Sequence, residues 1–373
     1  MFMLFTISSF GQSEIKEPTT FSIQTDQDFL FRTPFSKNED RNYTQGTSFV
    51  FSSPKLINTW IYFPLRKVRQ LADSLNRGGL EDFSSSFALS GTAFTPRIID
   101  SSTPIVGDRP FAFLLFVSTS TTFKFQKLRN DKAVDVYHSL TINYGVFGTD
   151  IGYKFQGWAH KHLVQGRPTD PKGWNTQISK GGAPAMLVEY NRFRELFPSG
   201  EFSLTKRKAF DIGWNAGGSI GYYDRLFTGL YARLGWLREK NLARWNGGFS
   251  AMNSGSFQVQ GTGDVVGKVK KFFRLFEPFV YGRANGTLML RNAMLVGQGF
   301  GNSVYTLKPG WTTVPLFEYE WGVVVAVEWV NRNGKPKTGA VQYRAVHRSP
   351  EFDSGLFPTR WHYFGSLGLM IPL

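Results

Sequence analysis

The segment from Pro315 to Val330 is the most informative part of the sequence. Its odd-numbered positions carry aromatic residues at both ends and aliphatic residues between them: Phe317, Tyr319, Trp321, Val323, Val325, Val327 and Trp329. Its even-numbered positions form a second face: Glu318, Glu320, Gly322, Val324, Ala326 and Glu328. A period of two indicates a β-strand, and about twelve steps of ~3.3 Å, tilted by ~45°, span ~28 Å, which matches the apolar band of a bilayer. The segment therefore predicts a membrane-spanning strand.

Similar segments recur along the whole chain. Residues 361–373 and 109–126 alternate almost as clearly. Noisier alternating runs occupy ten further ranges: 19–33, 44–53, 83–97, 133–149, 183–196, 201–216, 219–236, 270–291, 295–313 and 338–348. Even strand counts are expected of single-chain bacterial barrels, so these runs predict a barrel of about 12 strands. The predicted fold class is all-β: a transmembrane antiparallel up-and-down β-barrel with a short helix in an extracellular loop.

Charge and cysteine content narrow the classes of partner and chemistry. The net charge of +15 favours anionic partners. Basic clusters such as residues 206–208 are better explained by phosphorylated glycolipid and outer-membrane lipids than by nucleic acid, because interfacial Lys and Arg reach lipid headgroups. The chain has no cysteine, which excludes disulfides, cysteine metal sites and a cysteine nucleophile.

The chain shows no linker between domains, which predicts a single barrel domain over residues 13–373. Residues 1–12 resemble the tail of a secretory signal peptide, and the alternative is a first hydrophobic strand. Residues 54–82 contain VRQLADSLNRGG, which predicts a short amphipathic helix closed by Gly78-Gly79 in an insertion on the periplasmic side. Residues 238–268 have the composition of a long polar loop.

Residues 150–182 form a loop that is too long and too polar for a tight turn. Gln156 and His160 are four residues apart, so a helical turn would put both on one face. The stretch GWNTQ, which contains Trp174, follows them. An unperturbed histidine has a pKa of about 6.5 and can serve as a general base, although a loop histidine is more often a polar surface residue. The other histidines lack such surroundings and are interpreted as structural or surface residues: His138, His162, His347 and His362.

Strand counting brings the unusual polar clusters together. If the first strand rises from the periplasm, the connections from odd to even strands are extracellular. The clusters at 25–28, 40–46, 95–97 and 107–111 then share the outer rim with the loop that contains His160. The sequence therefore predicts one polar site beside the outer leaflet.

The order of these clusters resembles a known family. QDFLF, DRNYTQG, GDRPFA and then GTDIG, FQGWAHKHLVQG and GWNTQ are similar, in this order, to motifs of the lipid A 3-O-deacylase family of outer-membrane barrels. The resemblance covers the first half of the chain; the second half shares only the barrel character. It implies a twelve-stranded barrel whose site lies between the wall and a loop helix at the outer leaflet. The implied substrate is lipid A of lipopolysaccharide.

The resemblance also implies roles for individual residues. His160 takes the role of the base that activates water, and Thr44 falls on the site threonine of the family. Gln27 and Asp28 stand where the family has an Asn-Asp pair. Gln156 would position the water or the histidine.

A cation and three substrate contacts complete the implied site. The family mechanism resembles that of calcium-dependent phospholipases, which implies that Ca²⁺ stabilises the oxyanion, with Asp26 and Asp28 as its ligands. Arg97 is the candidate for a basic residue that the family has between its third and fourth strands. Arg41 and Trp174 are the other predicted substrate contacts.

Several readings compete with these predictions. The acidic residues can simply face the lumen or cap turns, and Asp108-Arg109 is interpreted as a charge pair that locks the rim. A G-x-S-x-G match at 217–221 lacks the strand–turn–helix context of a nucleophile elbow, so it is interpreted as a periplasmic hairpin turn or a narrowing of the barrel. A phospholipase and a non-catalytic, porin-like barrel remain as alternative functions. The sequence does not indicate an oligomeric state.

Overall fold

A closed antiparallel sheet makes up most of the molecule. The computed structural model describes residues 19–30, 45–75, 81–129, 132–162, 171–196, 201–202, 207–237, 276–332 and 336–373. Its strands are β1 (Thr20–Gln27), β2 (Gln45–Ser52), β3 (Glu81–Phe94), β4 (Ala112–Arg129), β5 (Lys132–Phe147), β6 (Ala183–Glu195), β7 (Glu201–Phe202), β8 (Arg207–Gly221), β9 (Tyr223–Leu237), β10 (Phe276–Asn292), β11 (Leu316–Val330), β12 (Pro336–Arg348) and β13 (His362–Pro372). The sheet closes because β1 pairs with β13 and β6 pairs with β8, past the two-residue β7. Without β7, the thirteen strands leave a twelve-stranded wall, as predicted.

The described parts of the connections contain three helices. They are α1 (Phe63–Leu75), α2 (Ile151–His162) and α3 (Ala293–Val296). The helix predicted within 54–82 is confirmed as α1, and its predicted Gly78-Gly79 terminus lies outside the described residues. In the part of the chain that the structure describes, no helix has both the length and the apolar character needed to cross a membrane.

The predicted strand at 295–313 is wrong. This range lies in the β10–β11 connection, where α3 and a 3-10 turn at Pro309–Trp311 replace extended structure. Gly297, Gly299 and Gly301 all have positive φ angles, of 74°, 81° and 87°. Such angles interrupt a strand, and glycine adopts them without the strain that a side chain would add.

The alternation predicted for β11 is confirmed. Phe317, Val323 and Trp329 are 55%, 38% and 42% exposed, whereas Glu320 and Val324 between them are 4% and 0% exposed. Successive side chains of a strand point to opposite faces, so the apolar series covers the outside of the barrel and the acidic series faces the lumen.

The two ends of the barrel differ in what they carry. The upper rim is defined here as the end that holds the connections β1–β2, β3–β4, β5–β6, β8–β9, β10–β11 and β12–β13. The lower rim is the opposite end, where Thr20 pairs with Pro372. Asp28, Arg97, Asp108 and α2 therefore all lie on the upper rim.

Side chains fill the lumen near the upper rim. A cluster of buried apolar residues joins strands that are not neighbours, including β4 with Phe116 and β13 with Phe364, and α3 contributes Met294 to it. Buried ion pairs occupy further levels of the lumen: Asp26–Arg344, Glu189–Arg225, Asp211–Arg233, Glu318–Arg283, Glu320–Arg283 and Glu318–Arg348. The described residues thus form a plugged barrel.

Candidate functional site

The β5–β6 connection folds into a compact unit on the upper rim. It contains α2 and, after residues outside the described part, a 3-10 turn at Gly173–Thr176. The Trp174 indole Nε1 donates a hydrogen bond of 2.7 Å to Gln156 Oε1, and both side chains are buried. The two motif stretches that were singled out in the sequence therefore contact each other directly.

This unit packs on the outer face of β4. The rings of Phe111 and Trp174 are 5.1 Å apart between centroids. A Cβ atom on Gly173 would lie 2.1 Å from the Phe111 ring, and one on Gly152 would lie 2.8 Å from Phe113. Only glycine at these two positions lets the turn and the helix approach the wall so closely.

Backbone hydrogen bonds fix the unit to the same strand. Ile178 N donates to Phe111 O, and Gly148 N donates to Phe113 O, each at 2.9 Å. Lys172 N donates to Ile99 O at 2.9 Å, which ties the β3–β4 connection to the unit. The start and the end of the loop are thus held at the top of β4, and α2 lies against the wall rather than above the lumen.

A row of paired residues leads from this unit to the end of β1. Gln27 pairs with Gln45, Gln45 with Ala93, and Ala93 with Phe113. Ala93 belongs to the buried cluster that contains Phe113 and Trp174. Neighbouring strands are ~4.8 Å apart, so Gln27 lies about 10 Å from Ala93 along the row. The row crosses the outer wall from the α2 unit to the end of β1, and the strip of wall between these two features is called the groove below.

The turn after β1 continues on this outer wall. Asp28 begins a 3-10 turn at Asp28–Leu30 and is 6% exposed. A Cβ atom on Gly365 would lie 2.7 Å from the Leu30 backbone, and Tyr343 Oη donates to Leu30 O at 3.2 Å. Gly365 is at an outward position of β13, because it lies between the buried Phe364 and Ser366. The chain therefore bends outward at Asp28.

Comparisons with known proteins agree with this geometry. A family profile described as "Outer membrane protein LpxR" matches residues 1–373. The chain belongs to the LpxR family of outer membrane proteins. The resemblance drawn from the motif order is thus confirmed at the level of the family.

One solved structure that resembles the chain supports the fold. LpxR from Salmonella typhimurium is 15% identical, with a TM-score of 0.63, over 95% of this chain and 100% of that one. A TodX monoaromatic hydrocarbon channel, the deltaS2 mutant, is 7% identical over 95% of this chain and 88% of that one. Its TM-score of 0.27 is too low to indicate a shared fold. No curated protein sequence matches the chain.

Three of the predicted residues stand partly or wholly outside the described structure. Thr44 and Arg41 lie in 31–44, which is not described. His160 is in α2, one helical turn after Gln156, and its side chain lies outside the described part. Their roles stay predictions.

Asp26 has a partner in the lumen. Its two carboxylate oxygens accept hydrogen bonds from Arg344 Nη2 at 3.1 and 3.2 Å, and Gln24 Nε2 donates to it at 3.1 Å. Asp26 is 2% exposed on the inner face of β1, whereas Gln27 is at an outward position. The predicted ligands Asp26 and Asp28 therefore belong to different surroundings. Within the described ranges, no group of three or more His, Cys, Asp or Glu residues is placed to hold a metal ion.

Arg97 lies on the β3–β4 connection of the upper rim. Its backbone N–H donates to Asp108 Oδ2 at 2.9 Å, and its guanidinium stacks on Phe357, 4.8 Å from the ring centroid. The side chain is half-buried and lines a cleft together with Asp353 and Arg360 of the β12–β13 connection. Arg97 thus places a positive charge on the β3–β4 connection, which Lys172 joins to the α2 unit.

The predicted Asp108–Arg109 charge pair needs a correction. Asp108 accepts backbone N–H groups, from Arg97 at 2.9 Å and from Arg109 at 2.9 Å. The buried Arg109 guanidinium instead donates to Glu351 and lies 4.2 Å from the centroid of Phe94. The predicted pair is therefore wrong, and Arg109 instead joins two loops that are far apart in sequence, a partnership that spacing alone does not reveal.

Glu351 and its neighbours were missed by the sequence analysis. Arg348 Nη1 and His362 Nδ1 lie 3.6 and 3.7 Å from its carboxylate, all of them buried. Burial would raise the pKa of Glu351, but Arg109 and the other neighbouring cations outweigh it and hold that pKa below its ordinary value. The only sequence signal was the clustering of charges in a segment between two strands.

The G-x-S-x-G match is part of a tight turn. Gly221 has a φ of 137° at the end of β8, and its N–H donates to Asp224 Oδ1 at 2.9 Å. Ser219 is buried; its hydroxyl donates to Tyr223 O and accepts from Arg225 Nε. The hairpin interpretation is correct, but the turn lies on the upper rim rather than on the side assigned to the periplasm.

Proposed function

We propose that this chain hydrolyses an ester-linked acyl chain of lipid A, of the 3-O type, in the groove on the outer wall. The main observation behind this proposal is the row of paired residues Gln27, Gln45 and Ala93. This row leads from the end of β1 to the buried Gln156–Trp174 pair. Family membership supports the same activity, because the family resembled in the sequence consists of lipid A 3-O-deacylases.

The position of the groove suits a lipid substrate. A groove on the outside of a barrel is open to molecules that diffuse laterally in the leaflet. The lumen offers no such route, because apolar side chains including Phe116, Met294 and Phe364 fill it near the upper rim. The upper rim would then face the outer leaflet, where lipid A resides.

His160 is the proposed general base. It removes a proton from water, which attacks the ester carbonyl, and it returns a proton to the leaving alcohol. Gln156, one turn earlier on α2, supports this role. Its Oε1 is held by Trp174, and its buried Nε2 has no hydrogen-bond partner in the described part of the chain. That amide N–H is a ready donor to the attacking water or to the imidazole.

A cation is proposed at the turn after β1. Asp28 with the side-chain oxygens of Gln27 and Thr44 would hold it, since Ca²⁺ prefers hard oxygen ligands. When bound, the cation supplies positive charge for the developing oxyanion. Asp26 is not included, because Arg344 and Gln24 already bind its carboxylate.

Basic residues of the rim are proposed to recognise the phosphates of lipid A. Arg97 is half-buried and stacked on Phe357, so its guanidinium is partly ordered before a ligand arrives. Arg41 would add a second charge, and Trp174 would shape the apolar part of the groove. A net charge of +15 supports an anionic substrate.

Purified protein can test this activity against a matched control. His160→Asn should remove ester cleavage of lipid A, while His138→Gln should retain it. His138 lies on the outer wall, where its Nδ1 contacts Tyr190 Oη at 2.6 Å, far along β5 from the upper rim. Equal activity of both variants would contradict the proposed base. Loss of activity with EDTA, restored by Ca²⁺, would support the cation, and unchanged activity would remove it.

The same assay separates the competing functions. A phospholipase would release fatty acid from glycerophospholipid at least as readily as from lipid A. A porin-like barrel would release none from either, and would conduct ions through a planar bilayer. The plugged lumen disfavours the second outcome.

A further inference from the structure

The insertion between β2 and β3 lies on the outside of the barrel. Its residues Ile57, Tyr62 and Leu65 form a buried cluster with Leu140 and Ile142 of β5. Leu140 and Ile142 are at outward positions, because they pair with Tyr190 and Val188 of β6, which are exposed on the outer face. The insertion therefore covers part of the surface that faces lipid elsewhere.

The covered surface is polar where a lipid-facing wall would be apolar. Ser85, Thr119 and Thr121 occupy outward positions and are 3%, 4% and 1% exposed. Ser85 and Thr121 hydrogen-bond to each other at 3.2 Å. Hydrocarbon offers hydroxyl groups no partner, so these positions require a protein cover. The insertion replaces lipid along this part of β3, β4 and β5.

The other side of the insertion is apolar and exposed. Trp60, Phe63, Val68 and Leu71 are 84%, 55%, 45% and 60% exposed. Leu71 follows Val68 by three residues on α1, so both lie on one side of the helix. This apolar strip continues the belt of exposed residues on β6, including Val188 at 37%, which pairs with the covered Ile142.

Basic residues flank the strip. Arg66, Lys67 and Arg69 lie on α1, and Asp73 is the only acidic residue of this helix. Lys67 Nζ is 5.6 Å from the centroid of the Phe63 ring. Long basic side chains beside exposed aromatic and aliphatic residues are typical of helices that lie in a membrane interface.

We propose that α1 is an interfacial helix that enters the leaflet at the lower rim. Its strip of Trp60, Val68 and Leu71 inserts between lipid headgroups and acyl chains, and Arg66 and Lys67 bind anionic phospholipid headgroups. Lipid is the proposed partner of this surface because the strip continues the lipid-facing belt of the barrel and because the neighbouring Arg66 and Lys67 are positively charged. The proposal is independent of the catalytic activity, since α1 lies on the opposite rim from α2.

Because the chain has no cysteine, a single introduced cysteine can be labelled at one defined position. Single cysteines introduced as Val68→Cys and Leu71→Cys report on the strip, and Gln70→Cys is the matched control on the exposed polar side of α1. Each is labelled with an environment-sensitive fluorophore and reconstituted in bilayers of phosphatidylethanolamine and phosphatidylglycerol. Lipids with nitroxides in the acyl chain should quench positions 68 and 71 about twofold or more, with blue-shifted emission, and position 70 much less.

Charge supplies a second readout in the same bilayers. Removing phosphatidylglycerol, or introducing Arg66→Gln with Lys67→Gln, should reduce the quenching at position 71. Heat-modifiable migration verifies that each variant remains a folded barrel. Equal quenching at positions 70 and 71, or quenching by aqueous iodide alone, would overturn the proposal. Shielding seen only in native membranes and never with pure lipid would also overturn it, and would indicate a protein partner.

Discussion

The outer faces of β11 and β4 show two ways to use the same alternation. On β11 the outward residues are exposed from Phe317 to Trp329, with aliphatic residues between aromatic ends. On β4 the upper outward residues Phe111 and Phe113 lie beneath the α2 unit. Farther down β4, Thr119 and Thr121 are buried beside the β2–β3 insertion. One strand has an exposed outer face, whereas the other is covered by protein at its upper end and in its middle.

The comparison of β11 with β4 shows that the chemistry of the outward side chains, rather than their periodicity, distinguishes wall covered by protein from wall that faces lipid. Both strands read as period two, which reports only that they belong to a barrel. Outward threonines on β4, in place of the valines of β11, indicate that protein rather than lipid covers this part of the wall. The proposed site lies at the upper end of this covered wall, where α2 is held at a fixed place against β4.

The largest expected effect comes from removing the contact that fixes the insertion. Leu65→Ala should destabilise the protein by about 2–5 kcal/mol, because Leu65 is fully buried against the barrel and its loss leaves a cavity. Urea unfolding in lipid vesicles measures this change. Gln70→Ala, at an exposed polar position of the same helix, is the control. Equal losses from the two variants would show that the insertion does not pack on the wall.

A charge introduced on the exposed outer face of β11 should destabilise the protein slightly less than the loss of the Leu65 side chain. Val323→Arg in the middle of β11 should destabilise the folded barrel by about 2–4 kcal/mol, because the guanidinium enters hydrocarbon. Phe317→Arg, at the end of the same apolar series, should cost about 0–1 kcal/mol for the charge. Vesicle unfolding of the two variants tests the depth dependence. The absence of any difference would contradict the position of β11 in the membrane.

A smaller effect is expected where α2 meets its 3-10 turn. Trp174→Phe removes the donor to Gln156 Oε1 and leaves a buried acceptor unsatisfied, at a cost of about 1–3 kcal/mol. The proposed deacylation should fall by about tenfold or more, while the barrel remains heat-modifiable. Rates on lipid A measure the loss. Full activity with Phe would separate the Gln156–Trp174 contact from the site.

The smallest expected effect concerns the Arg109–Glu351 ion pair, which joins the β3–β4 and β12–β13 connections. Arg109 precedes β4 and Glu351 follows β12, and the cations hold the Glu351 pKa below its ordinary value. A depressed pKa stabilises the folded state at pH values above the unfolded pKa, and this contribution is lost as the pH falls through the folded pKa. After correction for the intrinsic pH dependence of amide exchange, the protection of residues 109, 111 and 112 should therefore be constant from neutral pH down to the ordinary carboxyl range and fall below it.

Two variants make this pH prediction specific. Glu351→Gln should remove the acid limb of the exchange profile, because the titrating group is gone. Asp353→Asn, at an exposed neighbour on the same loop, should keep that limb. An acid limb that persists in Glu351→Gln would assign the effect to another group.

The sequence predicted the fold well because barrel strands must satisfy one repeated requirement. Every wall strand alternates, and the pattern around Val323 leaves little freedom. It failed at 295–313, where α3 enters the lumen with an apolar composition similar to that of a strand. Periodicity alone does not separate a short buried helix from a strand.

For the site, local motifs were visible and long-range partners were not. Gln156 and Trp174 lie in two neighbouring motifs that the sequence pointed out, although the contact between them was not predicted. The binding of Asp26 to Arg344 joins residues 318 apart in sequence. Closure of the barrel brings these two together, and no spacing rule predicts which inward arginine meets which acid. The insertion was predicted as a helix, but its place on the outer wall depends on Leu140 and Ile142 of a distant strand.

Mass spectrometry of lipid A tests the central claim most directly. The chain and its His160→Ala variant are expressed in a bacterial host that lacks lipid A deacylation, and heat-modifiable migration verifies that both are folded. We expect the wild-type chain to shift lipid A to the mass that lacks one ester-linked acyl chain, and the variant to leave it unchanged. Unaltered lipid A with the folded wild-type chain, or the same shift with both proteins, would contradict a deacylase site on the outer wall.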